Sequence, residues 1–363
     1  MDGFCNQDEN TMNFRGVAAA SLLAAFGCAD AVATPNQDLL LFNGSHFVGA
    51  TVDMNFATGQ YFGLSPSQLT VSRASSEYEM CNGTLYGPFA ANALAVTPCG
   101  GWIWEARTNL FLNNNAPATQ TIAVTSGAYY SISFYGTGTL TLSGACATTM
   151  TGAAFPARTA YSCQASTTSL TATVTALGAM QWPQVEANPN ATSVGGSFAT
   201  GPILTGGGEV TRAATVVTSG PLPVNPNAFS LFAAATALGP QQTNYPGVIE
   251  IDGASANAEE LFSPGSANIY FSGFNNINTT GVVIAIGTPF KYAVGASPSL
   301  YNTSLNGATA PGSTTAPAVP LSAPTSLRIG SRQSSGVCDC LVSRIAVFGN
   351  AALTQSQLNA VTH

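Results

Sequence analysis

Charge is what this chain has least of. Only 7% of its 363 residues are Asp, Glu, Lys or Arg, against about 25% in an ordinary globular chain. Lys291 is the single lysine, and the net charge is −7. Clustered Lys and Arg are what neutralise phosphate, so nucleic acid is excluded as a partner. Histidine is scarcer still: His46 and His363 are the only two. Neither lies near a nucleophile motif, which removes a Ser-His-Asp arrangement, and neither lies near a cysteine pair, which removes a Cys/His zinc site. Long apolar runs are missing as well. The Ala- and Leu-rich run Gly16 to Gly27 falls short of the roughly 20 residues needed to cross a bilayer, so no membrane span is expected. Dense Asp/Asn runs of the kind that cage calcium are absent too. No cofactor is expected, and a Ca²⁺ site would have to draw on Asp252 with Asn257, or on Asp339.

Thr, Ser, Gly, Ala and Asn fill the place of the charges, a composition suited to short strands and turns. The length is too great for one ordinary core and predicts two or three domains. Period-two alternation is clearest in the middle: Tyr130, Ile132 and Phe134 share a face, as do Leu140 with Leu142 and Leu170 with Val174. Strands with one apolar face need a second sheet to bury it, which makes a β-sandwich or jelly roll the economical fold. The expected order is an N-terminal helical attachment segment over 1–36, a small β module over 37–99, a sandwich over 100–210 and a second over 211–363. The first module should contain strands at Leu39 to Phe42, Ala50 to Phe56 and Leu69 to Arg73. In the last, strands are predicted at Phe229 to Ala233, Val248 to Asp252, Ala267 to Phe271, Val282 to Ile286, Phe290 to Val294, Leu327 to Gly330 and Leu341 to Phe348. Asn306-Gly307 signals a hairpin, Thr354 fits as a helix N-cap, and Gly195-Gly196 with Gly206 to Gly208 reads as a linker between the sandwiches.

The eight cysteines fall into local pairs: Cys5 with Cys28, Cys81 with Cys99, Cys146 with Cys163, Cys338 with Cys340. Such pairing fits disulfides. It also fits free, buried cysteines in a protein that folds in a reducing cytoplasm.

The chain is organised around Gly100 to Leu110. Trp102 and Trp104 alternate with Ile103 as in a strand, and Glu105 and Arg107 share a face. With so few charges, this pair is expected to be a structural ion pair, locking the N-terminal module to the middle one by a bidentate hydrogen bond. For ligand binding, Trp182, Tyr129 and Tyr135 are the rings with which a sugar's C–H face would stack, set against the commoner fate of an aromatic ring, which is burial.

The run GWIWEARTNLFLNN from Gly101 resembles a signature of tailed-phage appendage proteins. So do LTVSRASSEYEMCNG from Leu69, YYSISFYGTGTLTLSG from Tyr129, QVEANPNATSVGGSFATGPI from Gln184 and EVTRAATV from Glu209, all in the family's order. The resemblance covers roughly 45 to 363. It implies tandem β-sandwiches, the middle one similar to carbohydrate-binding modules and the last to laminin-G or concanavalin A-like lectins. In the latter pattern Gly330 permits close sheet packing and ALTQSQL closes on a short helix. The resemblance further implies a non-enzymatic protein of the virion surface, a head or tail fibre, spike or appendage. It would be a homo-trimer, held to other virion proteins by its N-terminal segment and binding host-surface polysaccharide. A purely structural decoration or adaptor protein and a secreted lectin are the alternatives.

Glu250-Ile251-Asp252 resembles the start of the E-I-D-x-x-E strand of concanavalin A-like glycoside hydrolases. Retaining hydrolysis needs a second carboxyl about 5 Å away on the same strand face. Gly253, Ala254 and Ser255 follow instead, and Glu259 and Glu260 come too late. The acid/base is missing and no catalytic residue is assigned.

Overall fold

The structure, a computed structural model, describes residues 46–239, 247–252, 258–263, 268–272, 277–280, 284–297, 301–310, 325–331 and 336–363. The expected N-terminal helical segment 1–36, the Leu39 to Phe42 strand, Cys5, Cys28 and Asn257 lie outside the described residues.

The fold is all-β: two sandwiches, the smaller inserted into the larger. The smaller runs from Arg107–Asn109 to Val210–Arg212 and has a five-stranded and a four-stranded antiparallel sheet. The first is ordered Arg158–Gln164, Tyr129–Tyr135, Gln181–Ala187, Arg107–Asn109, Val210–Arg212. The second is ordered Thr148–Thr151, Thr139–Gly144, Ser169–Ala176, Gln120–Ala123. Tyr130, Ile132 and Phe134 from one sheet meet Leu140, Leu142 and Leu170 from the other in one closed core, as the alternation predicts. The sheet's opposite face is polar yet buried: Ser131, Ser133, Gln184 and Glu186 are each 0% exposed. Segment 188–205 covers them, with Thr200 donating from both its backbone N–H and its hydroxyl to Glu186 and Asn188 donating to Ser131.

The larger sandwich draws strands from both ends of the chain. Its nine-stranded sheet is built around Cys340–Phe348, which pairs with Val52–Asn55 and Gly100–Ile103 on one side and with Phe229–Ala237 on the other; Pro289–Ala296 follows. In the facing seven-stranded sheet, Thr70–Ser72 and Val216–Thr218 lie beside Ser326–Ile329 and Gly247–Asp252. A single core joins Val52, Met54 and Ile103 to Leu231, Ile249, Leu327 and Ile345. This corrects the expected domain scheme. The stretch 37–99 is not a module of its own, because Val52–Asn55 is built into the C-terminal sheet beside Cys340–Phe348 and Thr70–Ser72 into the facing one beside Val216–Thr218. Nor is the Gly-rich seam a boundary, since it lies inside the smaller sandwich, whose closing strand Val210–Arg212 follows it.

Local chemistry sets the remaining details. Asn82-Gly83 and Asn306-Gly307 turn hairpins with positive φ at both residues, +48° and +77°, +48° and +80°, the backbone such turns require. Gly330 sits at φ +67°, and a Cβ there would lie 2.7 Å from Ile103, so only glycine lets the sheets approach this closely. Thr354 caps the helix Gln355–Thr362 in a capping box with Gln357. The predicted strand at Val282 to Ile286 is not one: 284–286 is turn and irregular backbone, and 282–283 lie outside the described residues. Three of the cysteine pairs are disulfides, Cys81–Cys99, Cys146–Cys163 and Cys338–Cys340.

Candidate functional site

Among the described residues, three places gather chemistry-bearing side chains. The first is the joint between the sandwiches, and it is where the quoted motifs converge. Arg73 is buried and donates to Glu77 Oε1 at 2.6 Å and to the carbonyls of Ser75 and Ala90. Trp104 Nε1 donates to Glu79 Oε1 at 2.7 Å, and the Arg212 guanidinium lies 4.8 Å from the Trp104 ring centroid. Gly201 is needed here, since a Cβ on it would meet Glu79 Oε2 at 2.6 Å. Arg107 donates to Glu105 Oε2 at 3.1 Å and faces Asp339 Oδ2 at 3.6 Å. The contact is thus a single hydrogen bond within a network, not the bidentate pair expected. Trp104 and Glu105 also fall outside any strand, in the crossover between Gly100–Ile103 and Arg107–Asn109.

Burial governs the electrostatics of this joint. Desolvation, reinforced by the neighbouring Glu77 charge, pushes Glu79 well above the usual carboxylate range against the pull of Arg212, the Trp104 hydrogen bond and Arg73. Asp339 is pushed up to about 7, chiefly by desolvation and with a contribution from Glu105, despite Arg107 and the Glu105 N–H. Every one of these groups is enclosed, so the joint is architecture and not a ligand surface. Asp339 is committed here. Asp252 is committed elsewhere, accepting from Arg328 Nε at 2.7 Å and from the Ser326 hydroxyl at 2.6 Å. Neither is set up to hold calcium, and among the described residues no group of three or more His, Cys, Asp or Glu is placed to hold a metal. Glu250, on the same strand face as Asp252, is fully buried 3.7 Å from Arg328, the wrong setting for a nucleophile that must reach a substrate.

The second place is an aromatic ledge on the smaller sandwich. Strands Tyr129–Tyr135 and Gln181–Ala187 slip register between Ser133 and Tyr135. The resulting bulge holds Trp182 at φ +48°, a backbone that bulky residues rarely adopt. Its ring stands edge-on to Tyr135, centroids 5.8 Å apart, and to Phe155, 6.1 Å apart. Phe155 is 38% exposed, Trp182 is half-buried and Tyr135 is buried beneath them with the Arg158 guanidinium 5.1 Å from its centroid. The structure therefore brings Trp182 and Tyr135 together but leaves Tyr129 apart. Tyr129 sits at the far end of its strand, about 20 Å away, its hydroxyl donating to the Thr192 carbonyl at 3.1 Å. Sequence reading missed Phe155, which lies in an irregular loop where no alternation marks it.

The third is a cleft of about 440 Å³ on the outer face of the nine-stranded sheet. Registered residues Asn55, Arg344, Ala234 and Lys291 form a row across four neighbouring strands. Ala234 is the small member between two long cations, and its missing bulk opens the cleft. A bulge puts Ser343 beside it, Phe47 and Phe232 form its floor, and the helix Gln355–Thr362 covers the adjoining apolar part of the face. Both nitrogens Nε and NH2 of Arg344 donate to Asp53, and the guanidinium lies 3.9 Å from the Phe47 centroid.

No family model matches this sequence, and no curated protein matches it. Partial structural likenesses exist. Domain 4 of AbnA, a GH43 extracellular arabinanase from Geobacillus stearothermophilus, in complex with arabinotriose, aligns with TM-score 0.36 and 14% identity, covering 46% of this chain and 81% of that one. The CBM40 of Ruminococcus gnavus IT-sialidase bound to α2,3-sialyllactose gives 0.32 and 11%, covering 38% and 83%. A Trypanosoma rangeli sialidase mutant displaying trans-sialidase activity gives 0.32 and 10%, with 41% of this chain spanning only 26% of that enzyme. These are likenesses of part of a β fold, and nothing about this chain's function follows from them.

Proposed function

We propose that this chain is a non-catalytic glycan-binding protein of a phage or phage-like particle's surface, and that the ledge of Phe155 and Trp182 is where a sugar ring stacks. The observation that carries the reading is the ledge itself. A half-buried tryptophan stands edge-on both to an exposed phenylalanine and to a buried tyrosine, with the tryptophan backbone at φ +48°. Strain of this kind is retained where the surroundings fix a side chain for use. The placement on a virion, through attachment at the N-terminal segment and in a trimer, rests on the ordered motif set alone. The absence of catalysis is proposed because Glu250 is fully buried and Asp252 is held by Arg328.

A secreted lectin is the second reading, favoured by one observation: three disulfides, which form and persist in oxidising compartments. A glycan array probed with the full chain and with Phe155→Ala/Trp182→Ala tests the shared core of both. Binding that falls about tenfold or more in the double variant supports the ledge; undiminished binding places the glycan elsewhere, and no binding by the intact chain overturns the proposal.

A further inference from the structure

We infer that Asn82, at the tip of the hairpin formed by Glu77–Cys81 and Thr84–Phe89, is the hydrogen-bonding residue of the ledge site, and that the glycan held there is neutral, with two adjacent free hydroxyls set beside the Asn82 amide. This assignment rests on the ledge reading above and adds to it a specificity residue supplied by the other sandwich.

The hairpin belongs to the larger sandwich by its anchors. The Cys81–Cys99 disulfide ties it to the turn between Ala95–Thr97 and Gly100–Ile103, two strands of the nine-stranded sheet, and Trp104 donates to Glu79 within it. Its tip meets the smaller sandwich. A Cβ on Gly83 would lie 3.1 Å from Pro156 Cγ, so the turn lies against the residue that follows Phe155. Asn82 and Phe155 each stand one residue from that contact, which keeps their Cα atoms within about 15 Å of one another. Asn82 follows the disulfide cysteine directly and sits at φ +48°, so its backbone is fixed before a ligand arrives.

The side chain is available. Asn82 is exposed, and among the described residues nothing pairs with its amide. Oδ1 accepts while Nδ2 donates, so the group matches two neighbouring hydroxyls, one giving and one taking a hydrogen bond. Phe155 and Trp182 meet the C–H face of a sugar; reading its hydroxyls falls to a group of this kind. Charge points to a neutral ligand. Arg158, the cation at the ledge, is spent: NH1 donates to the Ala199 carbonyl at 3.2 Å, NH2 donates to the Ser133 hydroxyl at 2.7 Å, and Glu186 lies 3.6 Å away.

An array of neutral and acidic glycans, with deoxy analogues of the neutral ones, tests this when probed with the full chain and with Asn82→Gly. Glycine takes the same turn backbone without strain, so the variant removes the amide and keeps the hairpin. Asn82→Asp, which also suits the turn but lacks the donor, is the second variant. The wild type should bind neutral glycans, and both variants should lose about tenfold, the weight of two neutral hydrogen bonds. Deleting one of the adjacent hydroxyls should weaken binding by the wild type and leave Asn82→Gly unaffected. If Asn82→Gly binds as the wild type does while Phe155→Ala/Trp182→Ala loses binding, the ledge stands and the role of Asn82 is overturned. If the Asn82 variants lose binding and the ledge variant does not, the glycan is not on the ledge and both are overturned. Preference for acidic glycans overturns the neutral ligand, and an intact chain that binds nothing overturns ledge and amide together.

Discussion

The backbone N–H of Glu105 donates to Asp339 Oδ1 at 2.9 Å across 234 residues of sequence. That bond ties the crossover into the smaller sandwich to the approach to the larger one's central strand, and Arg107 faces the same carboxylate. The behaviour of the joint under mutation and pH follows from it.

Removing Arg107 leaves Glu105 and Asp339 buried without their shared cation. Arg107→Ala is expected to destabilise the protein by about 3–5 kcal/mol. Chemical denaturation checks this against a surface Thr→Ala control such as Thr168→Ala, an exposed residue; equal midpoints would refute a structural role for the pair.

The pH dependence has a definite sign. The folded state raises Asp339 to about 7 and Glu79 well above its usual range, so it binds protons more tightly than the unfolded chain does. Their contribution is fully favourable at acid pH and is lost as pH climbs from the ordinary carboxylate range through about 7. Melting temperatures at pH 5.5 and 8.5, in wild type and in Asp339→Asn, measure it. The wild type should melt lower at the higher pH, with the difference smaller in the variant.

Trp182 separates ring from backbone. Trp182→Ala and Trp182→Gly both delete the indole, but alanine keeps a Cβ at φ +48°. Glycine should be the more stable of the two by about 1 kcal/mol, reversing the usual order within a strand. Thermal denaturation of the two variants side by side decides it, and a more stable alanine variant would argue against the bulge.

Gly330→Ala combines a left-handed backbone with a clash at Ile103. A loss of about 2–4 kcal/mol is expected. Denaturant midpoints read it, with Gly206→Ala, where open space surrounds the added carbon, as the control; parity between them would mean the sheets are free to separate.

What could be read from the sequence was whatever depended on neighbours along the chain. Alternation at Tyr130 to Phe134, the Asn306-Gly307 turn and the Thr354 cap are set within a few residues, and each appears where predicted. Nesting was not legible, because nothing local to Val52–Asn55 or Gly100–Ile103 says that the partner of both is Cys340–Phe348. Site residues divide the same way. Trp182 was visible as a tryptophan, but its companionship with Phe155 depends on a bulge and a loop meeting in space. The cleft depends on Ala234, a residue whose contribution is the space it does not fill. The motif residues Arg73, Glu105, Arg107 and Arg212 are buried charges gathered at the joint, a convergence in space that their separate positions along the chain did not disclose.

Insertion of one sandwich within the other also orders events during synthesis, when domains fold as units from the N-terminal side. Residues 107–212 can close their own core as soon as they clear the ribosome. The strands before them cannot: Val52–Asn55 and Gly100–Ile103 wait, edge exposed, for a partner that emerges more than 200 residues later. A nascent chain paused before Cys340 would carry one finished sandwich beside strands still missing their central partner, the form most in need of a chaperone.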